Sequence, residues 1–166
     1  MSNQTKRQNR VLPPRVQLTI PSMPRCLAVI RSAVGCMARQ EGFPAETIDQ
    51  LVLATDEALT NVIKHGYDGD PAGQIVMMLR PLRSAGKPGL DVVILDRGKS
   101  IDPAAICGRD LADIRPGGLG VHIIRSVMDK VQYRRRAGGG MLLRMVKYAA
   151  ARSPAAAAAG AAICKP

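Results

Sequence analysis

Aromatic side chains are nearly missing from this chain, which has one Phe, three Tyr and no Trp among its 166 residues. A protein that grips single-stranded nucleic acid needs aromatic platforms on which bases can stack. That class is therefore disfavoured, despite a formal net charge of +11. No helix-turn-helix, zinc-finger or RNA-recognition pattern is present either, so no nucleic-acid partner is expected. The four cysteines, Cys26, Cys36, Cys107 and Cys164, form no C-x-x-C pair, and His65 and His122 do not stand beside them. This argues against a metal framework and suits a reducing, cytoplasmic setting. No apolar run approaches the roughly 20 residues that span a bilayer, and the N-terminus is polar rather than signal-like, so no membrane association is expected. Acids are missing before Glu41, whereas Lys6, Arg7, Arg10, Arg15, Arg25, Arg31 and Arg39 all precede it. The basicity thus belongs mainly to the N-terminal segment, with a second knot at Arg134-Arg135-Arg136. Such a segment can steer acidic partners or simply stay solvated.

What remains has the size of one domain with a real core. Residues 1–14 read as a disordered basic arm, residues 15–149 as the folded domain, and residues 150–166 as an Ala-rich disordered tail. Arg15 to Ile20 alternates as a strand, and Met23 to Gln40 carries Leu27, Ile30, Val34 and Met37 (with Ala38) at helical spacing. Pro44, with early acids Glu46 and Asp49, opens a second helix that should run until Gly66 stops it. Its apolar stripe is Ile48, Leu51, Val52, Thr55, Leu59, Val62 and Ile63. Gln74–Arg80 and Leu90–Asp96 read as antiparallel strands joined by a loop from Ser84 to Gly89. Lys99 to Pro116 is an irregular loop. A helix opens at Gly117-Gly-Leu-Gly120 and carries Val121, Ile124, Val127 and Met128. A closing hairpin runs from Val131 to Arg136 and from Met141 to Tyr148 across three glycines. This order is not regular β-α-β alternation. It predicts an α+β fold, a two-layer sandwich with helices on one face of a mixed, mostly antiparallel sheet.

Three stretches carry candidate chemistry. Glu57, Asn61 and His65 succeed one another at four-residue steps, along one line of the second helix. Leu53, Ala54 and Ala58 share that side, so the helix is expected to be covered there; a solvated polar face is the competing reading. Asp96-Arg-Gly98 ends a hydrophobic strand. The aspartate can accept a hydrogen bond from an exocyclic amine such as that of adenine, and the glycine lets a flat ring approach, although an ordinary turn also ends in these residues. Gly117-Gly-Leu-Gly120 starts a helix, where free amides and the helix dipole favour phosphate oxygens; a flexible junction is the alternative. The chain has no G-x-x-x-x-G-K-[ST], and the glycine stretch does not follow a strand within a β-α-β unit, so neither a P-loop nor a dinucleotide fingerprint is supported.

Taken in order, the three stretches resemble the N, G1 and G2 boxes of the gyrase and histidine-kinase (GHKL, Bergerat-fold) ATP-binding superfamily. The fuller strings Asp56-Glu-Ala-Leu-Thr-Asn-Val-Ile-Lys-His-Gly-Tyr67, Asp96-Arg-Gly-Lys-Ser-Ile-Asp-Pro103 and Gly117 to Val131 are similar to those of the anti-sigma-factor serine/threonine protein kinases. The resemblance spans about Val16 to Tyr148. It departs at Ile101, where relatives often carry an aromatic residue, and at the three glycines of the last turn, where they often carry Asn.

The resemblance implies an ATP- and Mg²⁺-dependent protein-serine/threonine kinase. Asn61 would offer its amide oxygen to Mg²⁺, a hard cation that prefers oxygen ligands. Glu57 would act as general base on the acceptor hydroxyl. Asp96 and Gly98 would hold adenine, and Gly117, Gly118, Leu119 and Gly120 would cradle the phosphates. Lys64 and His65 would line the phosphate side; for His65 a structural hydrogen bond near the helix end competes with that role. Residues 99–116 would form the ATP lid, from which Arg115, or else Arg109, would reach the γ-phosphate. The implied partners are a sigma factor or equivalent target, a small antagonist of the anti-anti-sigma (STAS) type as phosphorylation substrate, and a second copy of the chain in a homodimer. The alternative is a sequestration module that uses ATP only to order its lid. A two-component histidine kinase is disfavoured, since no phosphoacceptor helix pair precedes the nucleotide region.

Overall fold

The computed structural model describes residues 15–84, 86–106 and 119–149. The basic arm, the Ala-rich tail, and the stretch carrying Arg109, Arg115, Gly117 and Gly118 lie outside the described residues. Strand β1 (Val16–Pro21) is followed by a 3₁₀ turn (Pro24–Cys26) and helix α1 (Leu27–Gln40), then helix α2 (Ala45–Asn61), which continues as a π turn (Val62–Gly66). Strands β2 (Gln74–Ser84) and β3 (Lys87–Leu95) come next, then a 3₁₀ turn (Pro103–Ala105), helix α3 (Leu119–Val127) and strands β4 (Lys130–Arg135) and β5 (Met141–Tyr148).

The five strands lie in the order β1-β2-β3-β5-β4, and every neighbouring pair is antiparallel. The expected parallel component is therefore absent among the described residues. The reason is topological: α3 returns the chain so that β4 runs in the same direction as β3, but β4 occupies the sheet edge and β5 inserts between them. The β2–β3 connection is tighter than the sequence suggests. Ser84 already pairs with Lys87, and Gly86 takes φ +78°, which a glycine adopts without strain. Pro81 and Pro88 are tolerated in these long strands because each lies beyond the last residue paired on the other side, Leu79 with β1 and Gly89 with β5.

The helices cover one face of the sheet. The alternation of β2 turns Ile75, Met77 and Leu79 into the core, and Leu90, Val92 and Ile94 of β3 and Leu143 and Met145 of β5 join them. From the helices come Leu27, Ile30, Val34, Met37 and Ala38 of α1, the set expected from spacing, and Ile48, Leu51, Ala54, Ala58 and Leu59 of α2. Burying each Leu or Ile side chain is worth about 1.5–3 kcal/mol, so this layer dominates stability. Two details of α2 differ from the periodicity reading. Leu53 is 48% exposed rather than covered, because the i, i+4 line it shares with Glu57 drifts around the helix and reaches solvent at this end. The α-helix also ends at Asn61, and its last turn widens to π geometry, with the Tyr67 N–H bonding to the Val62 carbonyl at 3.0 Å. Wide turns of this kind re-aim side chains, often at functional sites.

Candidate functional site

Helix α2, the segment after β3 and the first turn of α3 enclose a cavity of about 260 Å³. Asn61, His65 and Gly66 face it from α2 and the π turn, Asp96 and Lys99 from the segment after β3, and Gly120 and Val121 from α3. Ala58, Val62, Ile101, Ile106, Tyr133, Met141 and Leu143 supply an apolar lining. A mostly apolar slot with a few convergent polar groups is the usual form of a small-molecule site.

Asp96 is the most constrained polar group there. It is only 3% exposed, and its Oδ1 accepts hydrogen bonds from the N–H of Gly98 at 2.9 Å and of Met141 at 3.2 Å. No hydrogen bond reaches Oδ2 among the described residues. Burial pushes its carboxyl pKa above the ordinary value, against the two backbone hydrogen bonds and the charge of Arg136, which act to lower it. A buried carboxylate with one oxygen fixed by backbone amides and the other uncommitted is a directional acceptor for an amino group in the slot.

The loop carrying Asp96 is held from several sides. Its carbonyl accepts from the Arg136 guanidinium, and its N–H donates to the Met141 carbonyl at 3.1 Å. The Tyr67 hydroxyl donates to the Gln74 carbonyl at 2.6 Å and accepts from the Arg97 N–H at 2.9 Å. Lys99 donates its N–H to the Gly66 carbonyl at 2.8 Å and pairs its ammonium with Asp68. Gly98 does not line the cavity. A Cβ there would overlap the Gly66 carbonyl, so its lack of a side chain serves backbone packing against the π turn. Gly140 is as tightly placed: its φ is +78° and a Cβ would overlap the Asp96 carbonyl. In the sequence Gly140 is only the last glycine of a turn, since its neighbour lies more than forty positions away.

Glu57 points from α2 at the start of α3, where a Cβ on Gly120 would lie 2.7 Å from Glu57 Oε2 and 3.3 Å from Asn61 Nδ2. The four-residue line on α2 and the last residue of the glycine stretch therefore meet. His65 is exposed and lines the cavity, with no hydrogen bond among the described residues. Lys64 is exposed and does not line the cavity, and the Leu119 side chain is 62% exposed. Tyr133 and Met141 carry no signal in the sequence, because their place in the slot follows from strand pairing. No three His, Cys, Asp or Glu side chains cluster as a metal cage among the described residues. The oxygen of Asn61 fits Mg²⁺ of the kind that takes one or two protein ligands and the rest from phosphates and water. No described helix is long and apolar enough to cross a membrane.

Residues 20–147 match the model of the histidine kinase-like ATPase domain. Among curated proteins the chain is similar to serine-protein kinase RsbW of Listeria innocua, 30% identical over 127 residues that cover 71% of this chain and 78% of that protein. The RsbW of Halalkalibacterium halodurans is 27% identical over 130 residues, covering 74% of this chain and 76% of the relative. The Bacillus subtilis RsbW is 26% identical over 131 residues, covering 74% and 79%. A crystal structure of the RsbU and RsbW domains of a Mycobacterium tuberculosis protein superposes with a TM-score of 0.54 at 17% identity, over 84% of this chain and 35% of that one. At that identity the likeness is one of fold.

Proposed function

The chain belongs to the histidine kinase-like ATPase domain family, and within it we propose an ATP- and Mg²⁺-dependent protein-serine/threonine kinase that acts as an anti-sigma-type regulator. The observation that carries this reading is the convergence of Asp96, Asn61 and Gly120 on one cavity, with Glu57 at its edge against the same glycine. In this reading adenine lies in the apolar slot with its amine on Asp96 Oδ2. The phosphates lie toward the first turn of α3, where Gly120 leaves room and the helix N-terminus favours negative charge. Asn61 holds Mg²⁺, which when bound offsets phosphate charge. Glu57 orients the acceptor hydroxyl and takes its proton as the oxygen attacks the γ-phosphorus, while the bond from that phosphorus to the β–γ bridging oxygen breaks and ADP leaves. Gly117 and Gly118 complete the phosphate cradle, and Arg115, or Arg109, meets the γ-phosphate from the lid, 99–116.

The similarity to RsbW kinases supports the partner assignment: a sigma factor or equivalent target is sequestered, and a small STAS-type antagonist is phosphorylated. A phosphate on the antagonist adds a charge of about −1.5 to −2, which weakens an interface that lacks cations to receive it. The same resemblance supports a homodimer.

The test is transfer of labelled phosphate from ATP, with Mg²⁺, to purified STAS-type antagonists from the same genome. Wild type should label serine or threonine on one of them. Glu57→Ala should reduce transfer by about 10²–10⁴-fold, the usual contribution of a general base, while still binding ATP. ATP binding without transfer by the wild type would instead support an ATP-gated sequestration module.

A further inference from the structure

Among the described residues, Leu53 and Leu119 are two of the few large apolar side chains left in water, at 48% and 62% exposure; Leu53 lies one helical turn before Glu57, and Leu119 directly precedes the glycine that faces it. On α2, Leu53 precedes Glu57 by one turn and Asn61 follows it by one turn. The three are therefore neighbours on one line that drifts slowly around the helix. Asn61 lies at the cavity end of that line, and Leu53 at the end open to solvent. On α3, Leu119 directly precedes Gly120, which faces Glu57, and half-buried Ile123 lies one turn further on the same side as Leu119. The two helices run antiparallel. Gly120 meets Glu57 and Asn61, while Thr47 at the start of α2 and Asp129 beyond the end of α3 border one hollow. Leu53, Leu119 and Ile123 thus form an apolar lip beside Glu57 where α2 and α3 meet.

We propose that this lip is the seat of the protein substrate, and that it takes an apolar side chain next to the acceptor Ser or Thr. The inference rests on the kinase reading above and adds the direction and chemistry of substrate entry. In phosphoryl transfer the attacking and leaving oxygens lie roughly in line. With the nucleotide on the Asn61 side, the acceptor hydroxyl reaches Glu57 from the opposite side, which is the side of Leu53. A loop entering there passes between two exposed leucines, and an apolar neighbour of the acceptor buries them and itself. Binding energy from a contact remote from phosphorus positions the hydroxyl for attack.

The experiment uses the full chain and the STAS-type antagonist that accepts phosphate in the transfer assay. Leu53→Ser should raise KM for that antagonist roughly tenfold, the scale of an interface anchor, with kcat and KM for ATP unchanged. Leu53→Met should restore the wild-type KM, and adding Ile123→Ser to Leu53→Ser should raise it further. Replacing the apolar neighbour of the phosphorylated residue on the antagonist by Ser should raise KM in wild type but add little in Leu53→Ser. An unchanged antagonist KM in Leu53→Ser, or a loss confined to kcat, overturns the docking proposal while leaving the kinase reading in place. If wild type labels no antagonist, the kinase reading fails and this inference falls with it.

Discussion

Asp96 concentrates the residue-scale physics of the site. Because burial raises its pKa, its charged form is disfavoured by folding. Its contribution to stability is full below the ordinary aspartate value and is lost as pH rises through the raised one. Asp96→Asn removes this ionisation but keeps an oxygen to accept from Gly98 and Met141. In denaturant titrations across acid to neutral pH, wild-type stability measured against Asp96→Asn should fall as pH rises; a flat difference would contradict the assignment. Gly140 gives a second prediction. Gly140→Ala forces a left-handed backbone and overlap with Asp96, and should cost about 3 kcal/mol. Gly139→Ala, at φ +87° with open space around it, should cost only about 1 kcal/mol. Equal losses in thermal or denaturant unfolding would show that the packing against Asp96 is unimportant.

At the scale of elements, α2 and its π turn organise the cavity, and part of that was readable in advance. The apolar period of α1 and α2 reflects burial on one face, a local property, so their core residues follow from spacing. The alignment of Glu57, Asn61 and His65 is likewise a property of helical geometry. The π turn is not, because it is set by Gly66 meeting Gly98 and Lys99 across the fold. The same limit applies to Gly140 against Asp96 and to Tyr133 in the slot, where the partners are distant in sequence. Tyr67 ties the π turn to β2 and to the Asp96 loop through its hydroxyl. Tyr67→Phe leaves the Gln74 carbonyl and the Arg97 N–H to water, since both are exposed. The expected cost is about 1 kcal/mol in stability, with a weaker hold on nucleotide because the loop that presents Asp96 loosens. Unfolding curves and nucleotide titration of the variant check both outcomes.

For the molecule as a whole, the sheet has one face packed on helices and, among the described residues, no helix on the other. On the second face Asp91, 3% exposed, accepts from Arg80 at 2.8 Å and from Arg144 through both its oxygens at 3.0 Å. This cluster joins β2, β3 and β5, and the hydrogen bonding of Arg144 to Asp91, followed by the charge of Asp91, holds the Arg144 pKa above its ordinary value. Asp91→Ala would leave two like charges together. Both arginines are partly exposed, so the expected cost is about 2 kcal/mol rather than the larger loss of a fully buried pair. A change below about 0.5 kcal/mol in denaturant unfolding would show that the cluster is merely superficial. The α+β class was legible because two helices precede the paired strands and a hairpin closes the chain. The wholly antiparallel sheet was not, since placing β5 between β3 and β4 is a long-range choice that periodicity does not record.

The most direct measurement is calorimetric titration of Mg-ATP into wild type, Asp96→Asn and Glu57→Gln. Asp96→Asn can turn an amide donor toward the adenine amine, itself a donor, so its affinity should fall about tenfold or more. Glu57→Gln should bind as wild type does, because the carboxylate serves the acceptor hydroxyl rather than the nucleotide. Undiminished binding by Asp96→Asn would contradict the placement of adenine in this cavity.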